Sequence, residues 1–101
     1  MHKYRDFSNR LNIEFSDIEI KLYNIITEDI ISKFNLIKID EAIFGITVIT
    51  QDFKYYNSII SLEWENGYYN ILAKNREAES IIIEIANYIN KNNKNNKKDN
   101  L

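Results

Sequence analysis

The chain has 101 residues, no cysteine, no proline and two glycines, a length for one domain and a composition that excludes disulfide and thiolate chemistry. Its 13 Lys+Arg against 15 Asp+Glu divide unevenly: residues 91–101 hold four lysines and Asp99, a net of +3, so residues 1–90 hold 9 basic and 14 acidic groups, a net of −5. An acidic body disfavours phosphate-backbone binding, which draws on Lys and Arg, and steers basic proteins toward itself.

Met1 to Phe7 lack the apolar run of a signal peptide. No stretch approaches the ~18–20 apolar residues of a membrane span, so a soluble cytoplasmic protein is expected. The 20 Ile, 15 Asn and 10 Lys are residue types with A/T-rich codons, and the bias is read as genomic.

Tyr4, Phe7, Leu11, Phe15, Ile18, Leu22 and Ile25 or Ile26 recur at three- and four-residue steps, which predicts helix over residues 3–35. Ser16-Asp17-Ile18-Glu19 reads as a capping box, with Phe15 and Ile20 as its hydrophobic staple. The expectation is a short first helix and a main helix from about Asp17 to Phe34, ended by Asn35; one long helix is the alternative. Leu36 to Asp40 alternates weakly into a β-branched strand over Ala42 to Thr50, with Phe44, Ile46 and Val48 on one face. Gln51-Asp52-Phe53-Lys54 predicts a turn, and Tyr55 to Glu65 the next strand.

Asn66-Gly67 is the firmest local signal. Both positions of a two-residue hairpin turn need φ > 0, which Asn tolerates and Gly adopts freely. The turn sets the register: Glu65 faces Tyr68, Trp64 faces Tyr69, Glu63 faces Asn70, Leu62 faces Ile71 and Ile60 faces Ala73. One face, with Ile60, Leu62, Trp64, Tyr69, Ile71 and Ala73, is apolar. The other, with Ser61, Glu63, Glu65, Tyr68 and Asn70, is polar and acidic.

Asn75 reads as an N-cap, followed by Glu77 and Glu79 in a first helical turn. Ala78, Ile81, Ile82, Ile85 and Ile89 give that helix a buried stripe. Residues 91–101, rich in Lys and Asn, read as a disordered tail. The order predicts an α+β domain over residues 1–90: two N-terminal helical segments, a three- to four-stranded antiparallel meander and a C-terminal helix, with the helices on one sheet face.

Residues for chemistry are sparse. His2 is the only histidine, in an end expected to fray, so no nucleophile–base pair is in view. Gly45 and Gly67 stand too far apart for a P-loop or a dinucleotide fingerprint. Glu63 and Glu65 share a face, but Lys54 is the only basic residue between positions 39 and 73, and nothing sets their acidities apart. No catalytic, cofactor-binding or metal-ligating residue is assigned, and no enzyme is expected. What remains is a surface, on which Glu63, Glu65, Tyr68 and Asn70, with Asp52 and Tyr55, are the candidate partner-binding residues. Tyr beside carboxylates suits an interface, since the ring gives rigid contact area and the hydroxyl a polar handle.

A small, acidic, cysteine-free α+β domain with the strand Phe44-Gly45-Ile46-Thr47-Val48 and the hairpin Glu63-Trp64-Glu65 resembles the immunity proteins of bacterial toxin systems. The resemblance is one of size, charge and layout over residues 1–90. It implies a protein that binds a basic toxin, often a nuclease, and occludes its active site, without nucleic-acid or membrane partners. A phage-encoded inhibitor of a host defence nuclease would use the same physics. A small structural subunit, monomeric or homodimeric, is the other alternative.

Overall fold

The hairpin about Asn66-Gly67 forms in the register that its turn sets, from Glu65 opposite Tyr68 to Ile60 opposite Ala73. Asn66 and Gly67 hold φ of 50° and 86°, the paired left-handed conformations of a type I′ turn. The computed structural model describes residues 1–45 and 47–99. Its strands are β1 (His2–Arg5), β2 (Leu11–Phe15), β3 (Ile37–Lys38), β4 (Ile43–Phe44), β5 (Val48–Tyr55), β6 (Ser58–Glu65) and β7 (Tyr68–Ala73). Its helices are α1 (Leu22–Phe34) and α2 (Glu79–Asp99), the latter entered through a 3-10 turn, Arg76–Ala78.

The strands make one antiparallel sheet of seven, ordered β1-β2-β7-β6-β5-β3, with β4 also on β5. This corrects the predicted architecture: one α-helix, not two helical segments, precedes the strands of the meander, and the sheet has seven strands rather than three or four. Residues 3–15, expected to be helical, fall in the β1–β2 hairpin. Leu11, Ile13 and Phe15 alternate with Asn12 and Glu14, and pairing to β7 buries that alternation, with Ile13 opposite Ile71 and Phe15 opposite Tyr69. Turn chemistry closes the hairpin. The Asp6 carboxylate accepts the backbone N–H groups of Ser8 and Arg10, each at 3.0 Å, and Asn9 takes φ 62°, a conformation open to Asn at low cost.

The expected capping box does not form. Asp17 stands at φ 61°, the Ile18 N–H donates to Gly67 O at 2.9 Å, and α1 starts at Leu22 without a side-chain cap. Its end is as predicted: Asn35, at φ 54°, is left-handed, and the Leu36 N–H reaches back to Ile31 O at 3.1 Å, a Schellman closure.

The segment 42–50 is not one strand. The Gly45 N–H donates to Val48 O at 2.6 Å, turning the chain between β4 and β5; Ile46, assigned to a strand face, lies outside the described residues. Residues 51–54, expected to turn, are the middle of β5, and the turn falls at Tyr56-Asn57. Asn75 ties that turn down: its Nδ2 donates to Asn57 O at 2.9 Å and its Oδ1 accepts the Ile59 N–H at 3.1 Å. Its side chain therefore makes no helix cap. The tail expected over 91–101 falls on the last turns of α2, whose side chains from 93 onward lie outside the described residues, as do Asn100 and Leu101.

Both helices cover one sheet face. Tyr23, Thr27 and Ile30 of α1, and Ile81, Ile82, Ile85, Ala86 and Ile89 of α2, are buried with Ile13, Phe53, Ile60, Leu62, Tyr69 and Ile71 in one core. Two hydrogen bonds of 2.8 Å orient α1 on the sheet: Tyr23 Oη donates to Leu62 O, and Tyr69 Oη pairs with Thr27 Oγ1. A bidentate ion pair, Arg5 to Glu79 at 2.8 and 3.0 Å, fastens β1 to the start of α2. Among the described residues, the second sheet face carries no helix.

Candidate functional site

The uncovered face is built row by row from the strand register. One row crosses five strands and continues into β4: His2, Glu14, Asn70, Glu63, Thr50, Ile43. Beside it runs Tyr4, Asn12, Leu72, Ser61, Asp52, and on its other side Tyr68, Glu65, Val48. Along β2, β5, β6 and β7 the residues that alternate with these face the helices, so the pattern that fills the hydrophobic side also composes most of this surface.

Asn70 stands between two carboxylates that would repel if directly opposed. Its Nδ2 donates to Glu63 Oε1 at 3.2 Å and to Asn12 Oδ1 at 2.9 Å. Thr50 Oγ1 donates to Glu63 Oε2 at 3.3 Å. Asn12, 4% exposed, donates from Nδ2 to Arg10 O at 3.0 Å and to Asp6 Oδ2 at 3.3 Å. The network fixes the row without neutralising it.

Above it lies a depression of about 440 Å³ lined by Tyr4, Asp6, Arg10, Asn12, Glu14, Val48, Glu63, Glu65, Asn66, Tyr68, Asn70 and Leu72. A second hollow of about 260 Å³ shares Arg10, Glu63 and Leu72 with it and extends past Ser61 and Asp52 to Ile43. The first lining carries four carboxylates (Asp6, Glu14, Glu63, Glu65) and one cation, Arg10, a net of −3. Arg10 is itself bound to Asp6, at 3.1 Å. The negative field registers on Tyr4: burial first, then Glu14, Glu63 and Asp6, push its phenol above the ordinary value.

Of the residues predicted from sequence, Glu63, Glu65, Tyr68 and Asn70 meet at this depression. Asp52 lies on the same face, along the row from Tyr4, where Lys74 pairs with it at 2.9 Å. Tyr55 does not join them. A two-residue turn sets it opposite Ser58, which faces the helices and donates from Oγ to Glu77 O. Tyr55 packs against the core there, edge-on to Tyr56 with ring centres 4.7 Å apart. Sequence reasoning missed Tyr4, Asn12 and Glu14, which supply the β1–β2 side of the depression; the alternation of Leu11-Asn12-Ile13-Glu14-Phe15 was the signal for two of them. His2 is paired in β1 opposite Glu14 and stacks on Tyr4, ring centres 5.5 Å apart.

Carboxylates dominate the charge of this face. No group of three or more His, Cys, Asp or Glu among the described residues is disposed to hold a metal ion, and no helix among them is long and apolar enough to cross a membrane. A donor-rich, positively charged surface is the chemical complement of such a face. No family model, curated protein or solved structure matches this chain.

Proposed function

We propose that this chain is a non-enzymatic, cytoplasmic protein-binding inhibitor whose acidic sheet face covers a basic site on a protein partner, as immunity proteins cover toxins. The observation that carries the reading is the sheet face without a helix among the described residues, where Glu14, Glu63 and Glu65, together with Tyr4 and Tyr68, line a depression of about 440 Å³. Charge and shape divide the work. Carboxylates that no ion pair reaches among the described residues raise the rate at which a basic partner meets this face, an effect that salt screens. The two tyrosines, with Ile43 (66% exposed) along the β4 edge, provide the rigid and apolar contact area that holds it. The partner's basic site is then occluded by the sheet, and no bond is made or broken.

Affinity capture from the source cells, with wild type and Glu63→Lys/Glu65→Lys as baits, tests this. A basic protein should be held by the wild type and lost from the double variant. Once identified and purified, its own activity should fall when the chain is added, and less so at high salt. A partner held equally by both baits, or one whose activity is untouched, sinks the proposal.

A further inference from the structure

The depression also constrains which basic group enters it. Among the described residues no ion pair reaches Glu14, Glu63 or Glu65. The amide donors of the floor are already engaged, Asn70 Nδ2 with two acceptors and Asn12 Nδ2 with two more. The Asn70 side chain also holds a buried Oδ1 that accepts no hydrogen bond. The acceptors that the row offers to a ligand are therefore the carboxylates of Glu14 and Glu63, on either side of Asn70. Glu14, Asn70 and Glu63 occupy one row on β2, β7 and β6, so the backbone positions of the two glutamates stand two strand spacings apart, roughly 9–10 Å. Tyr4 and Tyr68 lie in the rows to either side, 36% and 46% exposed.

Resting on the reading above, we propose that this row is an arginine subsite, in which a guanidinium of the partner lies over Asn70 between Glu14 and Glu63. A guanidinium carries five N–H donors in one plane and can address carboxylates on both sides at once, whereas a lysine ammonium presents three donors at a point. Its flat face also suits the rings of Tyr4 and Tyr68, a contact for which Arg is used more often than Lys. The charge of the depression calls for a cation. The line of acceptors and the two rings call for a planar one.

The test uses the full chain, labelled with ¹⁵N, titrated with octa-arginine and with octalysine at equal ionic strength. Octa-arginine should bind tighter by about fivefold, the size of a cation–π and fork-geometry advantage. The largest amide shifts should fall at Tyr4, Glu14, Glu63, Tyr68 and Asn70. Tyr4→Ala/Tyr68→Ala should weaken octa-arginine more than octalysine and so erase that margin, and Glu14→Gln/Glu63→Gln should weaken both peptides. Equal affinity of the wild type for the two peptides overturns the arginine subsite and leaves the basic-partner reading standing. If neither peptide shifts this face, both fall.

Discussion

The hydrogen bond between Thr27 and Tyr69 offers a quantitative test of how α1 is held on the sheet. The two oxygens lie 2.8 Å apart, with Tyr69 0% and Thr27 3% exposed, so water cannot replace either partner. Tyr69→Phe removes one hydroxyl and strands the other in the core. An orphaned buried hydroxyl costs ~1–3 kcal/mol, so a loss of about 2 kcal/mol is expected, or ~8–16 °C in Tm for a domain of this size. Thr27→Val strands the Tyr69 phenol and should cost a similar amount, while keeping the branched shape that packs there. The double variant leaves no orphan, and its loss should fall short of the sum of the singles by at least ~1 kcal/mol, the coupling expected of groups in contact. Urea unfolding followed by circular dichroism, on the wild type and the three variants, supplies all four numbers. Strict additivity would refute the reasoning, because the two hydroxyls would then be satisfied independently.

Three further outcomes are expected. Leu62→Ala, at a 0% exposed position on the central strand β6, should cost ~2–5 kcal/mol, read as a lower urea midpoint at unchanged slope. Gly67→Ala meets no atom within 4 Å but must hold φ of +86°; its penalty is purely conformational, ~1–2 kcal/mol, and an unchanged melting temperature would contradict the turn assignment. Alkali should unfold the chain. Tyr23 is pushed from 10.0 up to about 12, chiefly by burial, and burial raises Tyr69 as well. The folded values lie above the unfolded one, so this contribution is complete below pH 10 and is lost as pH rises through about 12. A pH titration of the urea midpoint, flat across that range, would count against the burial of both phenols.

How much of this was legible in the sequence depends on where each signal lay. The β6–β7 hairpin was fully readable, because Asn66-Gly67 fixes its own geometry and the flanking alternation does the rest. With it came Glu63, Glu65, Tyr68 and Asn70. The N-terminal hairpin was not. Tyr4, Phe7, Leu11 and Phe15 fall on helical spacing by coincidence; Phe7 is fully exposed at the β1–β2 loop, while the two-residue alternation of β2 is what β7 buries. Local periodicity alone does not rank two competing readings when a strand 50 or more positions away decides between them. Tyr55 failed for a matter of parity. In an unbroken strand from Tyr55 to Glu65 it shares a face with Glu63, but a two-residue turn at Tyr56-Asn57 sets it beside Ser58 on the other. That turn places Tyr56 at φ 54°, unusual for a bulky residue, and it is held by Asn75, whose role no local pattern announces.

The position of β2 in the sheet has a temporal consequence. Asn12 pairs with Leu72 and Phe15 with Tyr69, separations of 60 and 54 residues, so during synthesis the β1–β2 hairpin finds its place in the sheet only after β7 has followed. Loops that long close late and slow the search for the native pairing. Until then Ile13 and Phe15 are without their buried partners, and the acidic row lacks Glu14 altogether. The acidic face therefore draws on both ends of the domain, and a nascent chain short of Ala73 does not yet carry it complete.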